Sequence, residues 1–273
     1  RHPAGDRGVG QDEPMTLRPL CRAVGAAILA LALSAPAAQA AEPQPIPSND
    51  DVDYQLGGAS TPDPRVGIVA RDRTDEIADG LYNICYVNAF QTQPGAKRFW
   101  RQRMGLVLHV SGKPLADPGW PDEWLLDIST PHKRARLARI AGRWIAGCAT
   151  SGFDAVEFDN LDSYPRSRTR LKASHATAYA RLLVRAAHRE GLAAGQKNRA
   201  QWDGTRVGFD FAVAEQCGQW DECGEYVQHY GDQVIAIEYR RRWFERTCEQ
   251  VGDDLPVVLR DRALSPDGPR AWC

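Results

Sequence analysis

The 273-residue sequence lacks the marks of several common protein classes. It has no Lys/Arg-rich run and no interleaved basic and aromatic segment, and its net charge is -1. This composition gives no reason to expect a nucleic-acid partner. The G-x-S-x-G elbow of serine hydrolases, the P-loop and the Gly-rich phosphate turn of dinucleotide-binding sheets are missing too. Serine hydrolysis and nucleotide chemistry are therefore disfavoured.

Metal-binding patterns are also scarce. The sequence contains no C-x-x-C pair and no H-E-x-x-H, and its six histidines show no metal spacing. The segment from Asp159 to Arg170 lacks the Gly and the terminal Glu of a calcium loop. We therefore expect no metal site.

No apolar run reaches the ~20 residues that a membrane-spanning helix needs. The N-terminal part instead has the layout of a secretory signal: Met15, then Arg18 and Arg22, an apolar run over residues 23–33, and the small-residue site Ala38-Gln39-Ala40. We expect this segment to be removed on export.

The predicted domain organisation follows from that signal. Residues 1–40 comprise upstream residues and the signal peptide, residues 41–52 a short Pro-rich leader, and residues 53–273 a single domain. The mature protein is expected in the extracellular space or the periplasm, without stable membrane association and as a monomer.

Cysteine usage agrees with export. Cys21 lies in the signal, which leaves an even set of six that an oxidising compartment would pair into three disulfides. Spacing alone cannot choose among the pairings that six cysteines allow. The pairing that we expect is Cys85–Cys148, Cys217–Cys223 and Cys248–Cys273.

Short apolar strands alternate with helical or irregular segments after the leader, which is typical of a parallel α/β fold. Apolar residues at helical spacing predict helices around residues 137–148 and 179–187. The eight predicted strands are Asp53–Leu56, Val66–Ala70, Tyr82–Asn88, Phe153–Asp159, Leu192–Lys197, Phe209–Glu215, Val234–Tyr239 and Val257–Arg260.

Eight such strands predict a (β/α)8 TIM barrel. Its first unit is irregular, because residues 57–64 are too short and too rich in Gly and Pro for a helix. Residues 99–130 form the longest interruption and read as an insertion after the third strand. A doubly wound sheet is the rival fold, but the Gly-rich turn that it usually carries is absent.

Polar side chains follow the predicted strands where each one ends. The fourth strand, for example, runs without a break from Phe158 into Asp159, Asn160 and Asp162. In a barrel, all of these ends meet at the C-terminal face, where such enzymes keep their active sites. The strand-end residues are Asp72, Asn88, Asp159, Lys197, Asn198, Glu215, Glu238 and Asp261.

A ring of carboxyl groups with amides and aromatic side chains suits carbohydrate chemistry. One carboxyl group protonates the leaving oxygen, and a second attacks the anomeric carbon or activates water. Aromatic faces stack on sugar rings. The aromatic candidates are Tyr86, Trp124, Tyr164, Trp202, Trp220 and Tyr239.

Several motifs in order along the chain resemble glycoside hydrolase family 114, the endo-α-1,4-polygalactosaminidases. They are G-F-D-A-V-E-F-D-N-L-D-S-Y from Gly152, Gly195-Gln196-Lys197-Asn198, F-D-F-A-V-A-E-Q-C ending at Cys217, and Ile237-Glu238-Tyr239. Shorter matches are Tyr54-Gln55-Leu56, Ile84-Cys85-Tyr86 and the stretch from Glu123 to Ile128. The resemblance runs from about Asp53 to Cys273.

The resemblance implies a secreted (β/α)8 barrel that cleaves α-1,4-linked galactosamine-containing polysaccharide without an organic cofactor. The family's two acids fall on Asp159 and Glu215. We expect Asp159 to be the nucleophile or stabilising base and Glu215 the general acid, or the reverse, with Glu238 as an alternative acid. The expected substrate-binding residues are Asp72, Tyr86, Asn88, Trp124, Asn160, Asp162, Tyr164, Lys197, Asn198, Glu238 and Tyr239.

Two features depart from the family's usual pattern. Arg71 precedes Asp72 in the second strand, and Arg240, Arg241 and Arg242 follow the seventh. Arginines beside the active-site mouth could repel a cationic sugar or recognise an acidic one. The alternatives are therefore a glycosidase that acts on another amino-sugar or acidic glycan, and a barrel that binds glycan without catalysis.

Overall fold

The structure is a computed structural model that describes residues 42–48 and 50–273. The predicted signal peptide lies outside the described residues. Eight parallel strands form the barrel wall, in chain order and each paired with the next. They are β1 (Asp51–Gln55), β2 (Val66–Asp72), β3 (Tyr82–Asn88), β4 (Ala155–Asp159), β5 (Ala193–Lys197), β6 (Phe211–Glu215), β7 (Val234–Glu238) and β8 (Val257–Leu259).

The barrel closes through the C-terminal segment. The ninth strand of the barrel sheet, β9 (Ala271–Trp272), pairs antiparallel with β8. The indole Nε1 of Trp272 donates a hydrogen bond of 2.7 Å to the carbonyl of Val52 in β1. Arg260 lies just after β8, and its guanidinium donates to the carbonyl of Tyr54, which is also in β1. The predicted barrel fold is therefore confirmed, with β1 and β8 bridged by side chains.

Helices pack around the barrel. The longest, α2, begins at Pro131 after Thr130, whose side chain accepts a hydrogen bond of 3.2 Å from the backbone N–H of Lys133. The two predicted helices correspond to α2 and α3. The helices are α1 (Lys97–Arg101), α2 (Pro131–Thr150), α3 (Ala173–Arg189), α4 (Cys217–Trp220), α5 (Cys223–Tyr230) and α6 (Arg241–Val251).

Side chains alternate along each strand between the barrel interior and the helix layer. Phe211 and Val213 of β6 pack with Ile235 and Ile237 of β7 inside the barrel. The intervening residues of both strands, such as Ala212 and Ala236, pack toward the helices in a separate core. Both faces of the strands are apolar, as expected for a parallel barrel.

The predicted insertion after β3 is ordered and packed. Leu108 N donates to Leu125 O over 2.8 Å, Leu115 N donates to Leu108 O over 2.8 Å, and Leu125 N donates to Leu115 O over 2.9 Å. Leu106 and these three leucines are buried in the same core as α2. The insertion therefore forms a small sheet-like meander that brings residues 117–123 to the C-terminal mouth of the barrel.

Three disulfides connect the elements in the expected pairing. Cys85–Cys148 joins β3 to α2, Cys217–Cys223 joins α4 to α5, and Cys248–Cys273 ties the C-terminus to α6. In the predicted leader, Ile46 is buried, and its backbone N–H donates a hydrogen bond of 2.9 Å to the side chain of Gln233.

None of the described helices is long and apolar enough to cross a membrane.

Candidate active site

A cavity of about 480 Å³ opens at the C-terminal ends of the strands. Its walls come from the ends of β2 to β6, from the residues just after β1 and β7, from residues 93–94 and the insertion, and from the loop after β8. Polar lining residues include Asp72, Gln93, Asp117, Glu123, Asp159, Asn160, Asp162, Arg166, Lys197, Asn198, Glu215, Gln216 and Arg262, and aromatic ones are Tyr86, Trp120 and Tyr239.

Asp159 ends β4, and donors contact both of its oxygens. The backbone N–H of Asn160 donates to Oδ1 over 2.7 Å. The hydroxyl of Tyr86 and the side-chain amide of Asn160 donate to Oδ2 over 2.7 and 3.2 Å. Asn160 has a φ of 67°, in the left-handed region, where Asn is favoured among residues with a side chain. This backbone conformation turns the amide toward the carboxylate.

Glu215 ends β6 and is held from the neighbouring strands. Asn198, just after β5, donates from Nδ2 to Oε2 over 3.1 Å and accepts the backbone N–H of Glu215 over 3.0 Å. The hydroxyl of Tyr239 donates to Oε1. Residues that follow β5 and β7, the two strands beside β6, thus orient this carboxyl group.

Lys197 lies between the two acids. Its Nζ is 3.8 Å from Asp159 Oδ1 and 3.5 Å from Glu215 Oε2. Beneath them, Nζ is 3.1 Å from Glu157 Oε1, and the hydroxyl of Tyr54 donates to that same oxygen. A single buried ammonium therefore joins three carboxyl groups at the end of the barrel.

Charge and burial split the pKa values of this cluster. Burial raises the pKa of Asp159, and the nearby Glu215 adds to that effect while Lys197 opposes it. Burial also acts to raise the pKa of Glu215, but Lys197 with the Tyr239 and Asn198 hydrogen bonds outweighs it, so this pKa is lowered. Burial raises the pKa of Glu157 to about 7 against the attraction of Lys197. Of the two strand-end acids, Asp159 therefore keeps its proton to higher pH than Glu215 does.

The ammonium itself remains charged. Burial acts to lower the pKa of Lys197, but Asp159, Glu157 and Glu215 outweigh that effect and raise it. A carboxylate beside such a fixed cation is kept ionised more easily than one that is buried alone.

Most of the expected substrate-binding residues line the cavity. Three of the others lie close behind its wall. Asn88 is buried and donates to Glu123 Oε2 over 2.9 Å while accepting from Asn160 over 3.1 Å. Trp124 packs against the core beside Lys97, and Tyr164 packs there under the guanidinium of Arg199. The expected residues in the lining are Asp72, Tyr86, Asp159, Asn160, Asp162, Lys197, Asn198, Glu215 and Tyr239.

Glu238 corrects the expectation that every strand-end acid faces the cavity. Its side chain is fully buried on the outer face of β7, where Gly218 N donates to it over 2.8 Å and Thr247 Oγ1 over 3.1 Å. The next residue, Tyr239, faces the cavity instead. Side chains alternate along a strand, so the two cannot share one face. Glu238 stabilises the contact of β7 with α4 and α6.

Three other expected positions also lie outside the lining. Asp261 accepts the backbone N–H of Ser265 within its own loop over 2.9 Å. Trp220 is exposed on α4, and Trp202 packs against Phe209. None of the three is among the cavity residues of the described chain.

Sequence reasoning missed several cavity residues from the insertion and its contacts. Glu123 and Asp117 belong to the insertion, and Arg166 follows β4. Arg166 Nε donates to Asp117 Oδ2 over 2.5 Å, and its other nitrogens contact Asp162. Glu123 directly precedes Trp124 in one of the family-like stretches, which was the only sequence signal for this group. These residues add further charge to one wall of the cavity.

The arginines that depart from the family pattern do not face the cavity. Arg71 is buried and donates to Gln55, over 2.9 Å, and to two loop carbonyls. The residues Arg240–Arg242 are absent from the lining, whereas Arg262 of the loop after β8 is part of it. Within residues 42–48 and 50–273, no group of three or more His, Cys, Asp or Glu side chains could hold a metal ion.

A parallel eight-stranded barrel with paired carboxyl groups, amides and aromatic side chains at its C-terminal mouth has the architecture of a carbohydrate-cleaving enzyme. Residues 33–273 match the glycoside-hydrolase family GH114, and the chain belongs to this family. The protein is a glycoside hydrolase.

Solved structures support the fold. Ega3 of Aspergillus fumigatus, in complex with galactosamine, is similar with a TM-score of 0.66 at 21% identity, covering 86% of this chain and 98% of that one. The glycoside hydrolase domain of PelA from Pseudomonas aeruginosa gives 0.55 at 14% identity, covering 82% and 98%. The GH36 α-galactosidase AgaA of Geobacillus stearothermophilus gives 0.50 at 10%, covering 79% and 39%. Among curated protein sequences, none matches significantly.

Proposed function

We propose that this protein is a secreted, endo-acting glycoside hydrolase that cleaves α-1,4-linked galactosamine-containing polysaccharide, with Asp159 and Glu215 as its catalytic carboxyl groups. One observation carries the proposal: both acids end barrel strands, line one cavity and contact the same ammonium of Lys197. Glycoside hydrolysis needs two carboxyl groups on either side of the scissile bond.

The donors around the pair favour Glu215 as the general acid. N–H groups, which can only donate, contact both oxygens of Asp159 and stabilise its ionised form. Each acid also contacts a tyrosine hydroxyl, Asp159 through Oδ2 with Tyr86 and Glu215 through Oε1 with Tyr239. Glu215 receives an amide N–H on Oε2, from Asn198, and the described partner of its Oε1 is a hydroxyl, which can donate or accept as the acid gains or loses its proton. The pKa directions in the unliganded protein favour the opposite order, with the proton on Asp159.

Substrates with an activated aryl leaving group separate the two assignments. Such a group departs without protonation, so replacing the general acid slows its release far less than it slows polysaccharide cleavage. If Glu215 is the acid, Glu215→Gln retains most of the parent rate on an aryl α-galactosaminide, and Asp159→Asn does not. The reverse result would exchange the two roles.

The charge of the cavity supports a cationic substrate. Its described lining contains six carboxyl groups, of Asp72, Asp117, Glu123, Asp159, Asp162 and Glu215, against three basic side chains, of Arg166, Lys197 and Arg262. A deacetylated galactosamine polymer carries ammonium groups that such a surface attracts. The KM for this polymer should rise with salt concentration, because ions screen the attraction. A salt-independent KM would favour the alternative of another glycan.

Product analysis tests the proposal as a whole. Partly deacetylated α-1,4-galactosamine polymer is incubated with the parent and with Asp159→Asn, and oligosaccharides are identified by mass spectrometry. We expect them from the parent alone. Glu238→Gln is the control, because that strand-end acid lies outside the cavity and should keep activity. Equal products from Asp159→Asn would refute the assignment, and none from the parent would favour the alternatives, another glycan as substrate or a glycan-binding barrel.

Secretion is supported by the signal-like segment over residues 15–40 and by the three disulfides. N-terminal sequencing of the exported protein is expected to begin at Ala41. A cell-retained protein with free thiols would contradict this part of the proposal.

A further inference from the structure

A turn of the insertion reaches the cavity from one side. We call residues 117–123 the rim turn. Asp117 N donates to Glu123 O over 2.9 Å, and Glu123 N donates to Trp120 O over 2.9 Å. Pro121 and Asp122 occupy the two central positions of the inner turn, and Pro is favoured at the first of them. The rim turn therefore has a defined backbone.

Neighbouring elements hold the rim turn in place. Gln91 Nε2 and Arg166 Nε donate to Asp117 Oδ2 over 2.8 and 2.5 Å. The other oxygen of Asp117 accepts the backbone N–H of Gly119 over 2.8 Å. Lys97 Nζ contacts Asp122 at the tip over 2.6 Å. These contacts hold the rim turn at the edge of the cavity.

Trp120 is the exposed aromatic residue of the rim turn. Its side chain lines the cavity, yet it is 51% exposed. Trp220, at 64%, is the other large exposed hydrophobic residue of the described chain, and it lies outside the cavity lining. An exposed indole face beside a carbohydrate cavity offers a flat apolar surface for the face of a sugar ring.

Glu123 presents a carboxyl group to the same cavity. It is half-buried, and Oε2 accepts from Asn88 Nδ2 over 2.9 Å. Burial raises its pKa to about 7, partly offset by that hydrogen bond. The amides of Asn88 and Asn160 lie between Glu123 and Asp159. Glu123 is therefore separated from the paired acids by two side chains, in a position to meet a neighbouring sugar unit.

We propose that Trp120 and Glu123 form a sugar-binding subsite for an amino-sugar unit next to the one that is cleaved. The apolar face of the sugar stacks on the indole, and its ammonium group pairs with the Glu123 carboxylate. This inference rests on the proposed function, and it assigns recognition of the unacetylated amine to a residue outside the catalytic pair.

Kinetics on galactosamine oligosaccharides of increasing length tests the subsite, with Trp120→Ala, Trp120→Phe and Glu123→Gln compared with the parent. Loss of stacking worth about 0.5–1.5 kcal/mol should raise KM for long substrates roughly 2- to 12-fold. Shorter substrates that do not reach the rim turn should be unaffected, and Phe should restore part of the affinity. Glu123→Gln should raise KM for deacetylated but not for N-acetylated oligosaccharides.

Trp220→Ala is the matched control, since it removes the other exposed indole, which lies outside the cavity. If KM changed with substrate length in Trp120→Ala just as it does in the parent and in Trp220→Ala, the subsite proposal would be wrong. The proposed hydrolase function would be unaffected by that result. If the parent cleaves none of these substrates, the proposed function fails. Calorimetric titration with galactosamine oligosaccharide then decides the subsite: weaker binding to Trp120→Ala supports it, and unchanged binding refutes it.

Discussion

The ammonium of Lys197 lies 3.1 Å from Glu157 Oε1, and the two side chains are only 2% and 0% exposed. This ion pair forms the floor of the cavity, and the carboxyl groups of Asp159 and Glu215 meet the same ammonium from above. Removing either partner of a buried pair leaves a charge without compensation. The pair thus links the stability of the barrel to the state of its acids.

Lys197→Met is expected to destabilise the protein by about 3–5 kcal/mol, because three carboxyl groups lose their shared cation. Urea denaturation at pH 7 measures the change. The comparison is Arg241→Met, which breaks the exposed pair with Glu245 on α6, 3.8 Å apart, and should cost less than about 1 kcal/mol. Equal losses would mean that the buried cation has no special role.

Glu157→Gln should flatten the pH dependence of stability. The pKa of Glu157 rises from its ordinary value of 4.5 to about 7 in the folded protein. Between these values the folded state holds a proton that the unfolded chain has lost, so the parent loses stability as pH rises through this window. The loss is on the order of 3 kcal/mol. Denaturation at pH 5 and pH 8 should show a smaller difference in the variant, and an unchanged difference would assign the effect elsewhere.

Tyr239→Phe should shift the acidic limb of the kcat/KM profile to higher pH. The Tyr239 hydroxyl helps to lower the pKa of Glu215, so its removal raises that pKa. The limbs of the profile follow the lower and the higher pKa of the pair whichever acid donates the proton, so the alkaline limb, which the raised pKa of Asp159 governs, should stay in place. Tyr86→Phe is the counterpart: it removes a donor from Asp159 and should move only the alkaline limb upward. If both variants had the same kcat/KM pH profile, the assignment of one limb to Glu215 and the other to Asp159 would be wrong.

Removing Cys85–Cys148 by a double Ala substitution should cost about 4 kcal/mol, because the bond closes a loop with a sequence separation of 63. Removing Cys217–Cys223, with a separation of 6, should cost about 2 kcal/mol. The order of the two losses under urea is the prediction. A larger loss for the short loop would indicate that local packing, and not loop closure, controls stability.

Much of the barrel could be predicted from the sequence. The predicted and observed bounds of β3 are the same, Tyr82–Asn88, and those of β2 differ by two residues at one end. Buried β-branched segments that end in polar residues or turns identify strands without knowledge of their neighbours. Since all C-terminal ends of a parallel barrel meet, the same strand ends also placed Asp159, Lys197 and Glu215 at one mouth.

The facing of individual side chains could not be predicted in the same way. Ala236 and Ile237 are both buried, on opposite faces of β7, so the apolar pattern does not show which face is inside. That ambiguity led to Glu238 being expected in the cavity. Only the packing of β7 against α4 and α6 decides that Glu238 turns outward and that Tyr239 turns inward.

By itself, then, the sequence determined the strands, the barrel and the positions of the two acids, because these depend on local composition and on a rule shared by parallel barrels. The tertiary structure alone brought Trp120, Asp117 and Glu123 to the cavity, since the insertion has no regular period and its place depends on contacts with distant residues such as Gln91 and Arg166. It also decided the charge of the site, because the pKa values around Lys197 depend on burial and on distances that only folding creates.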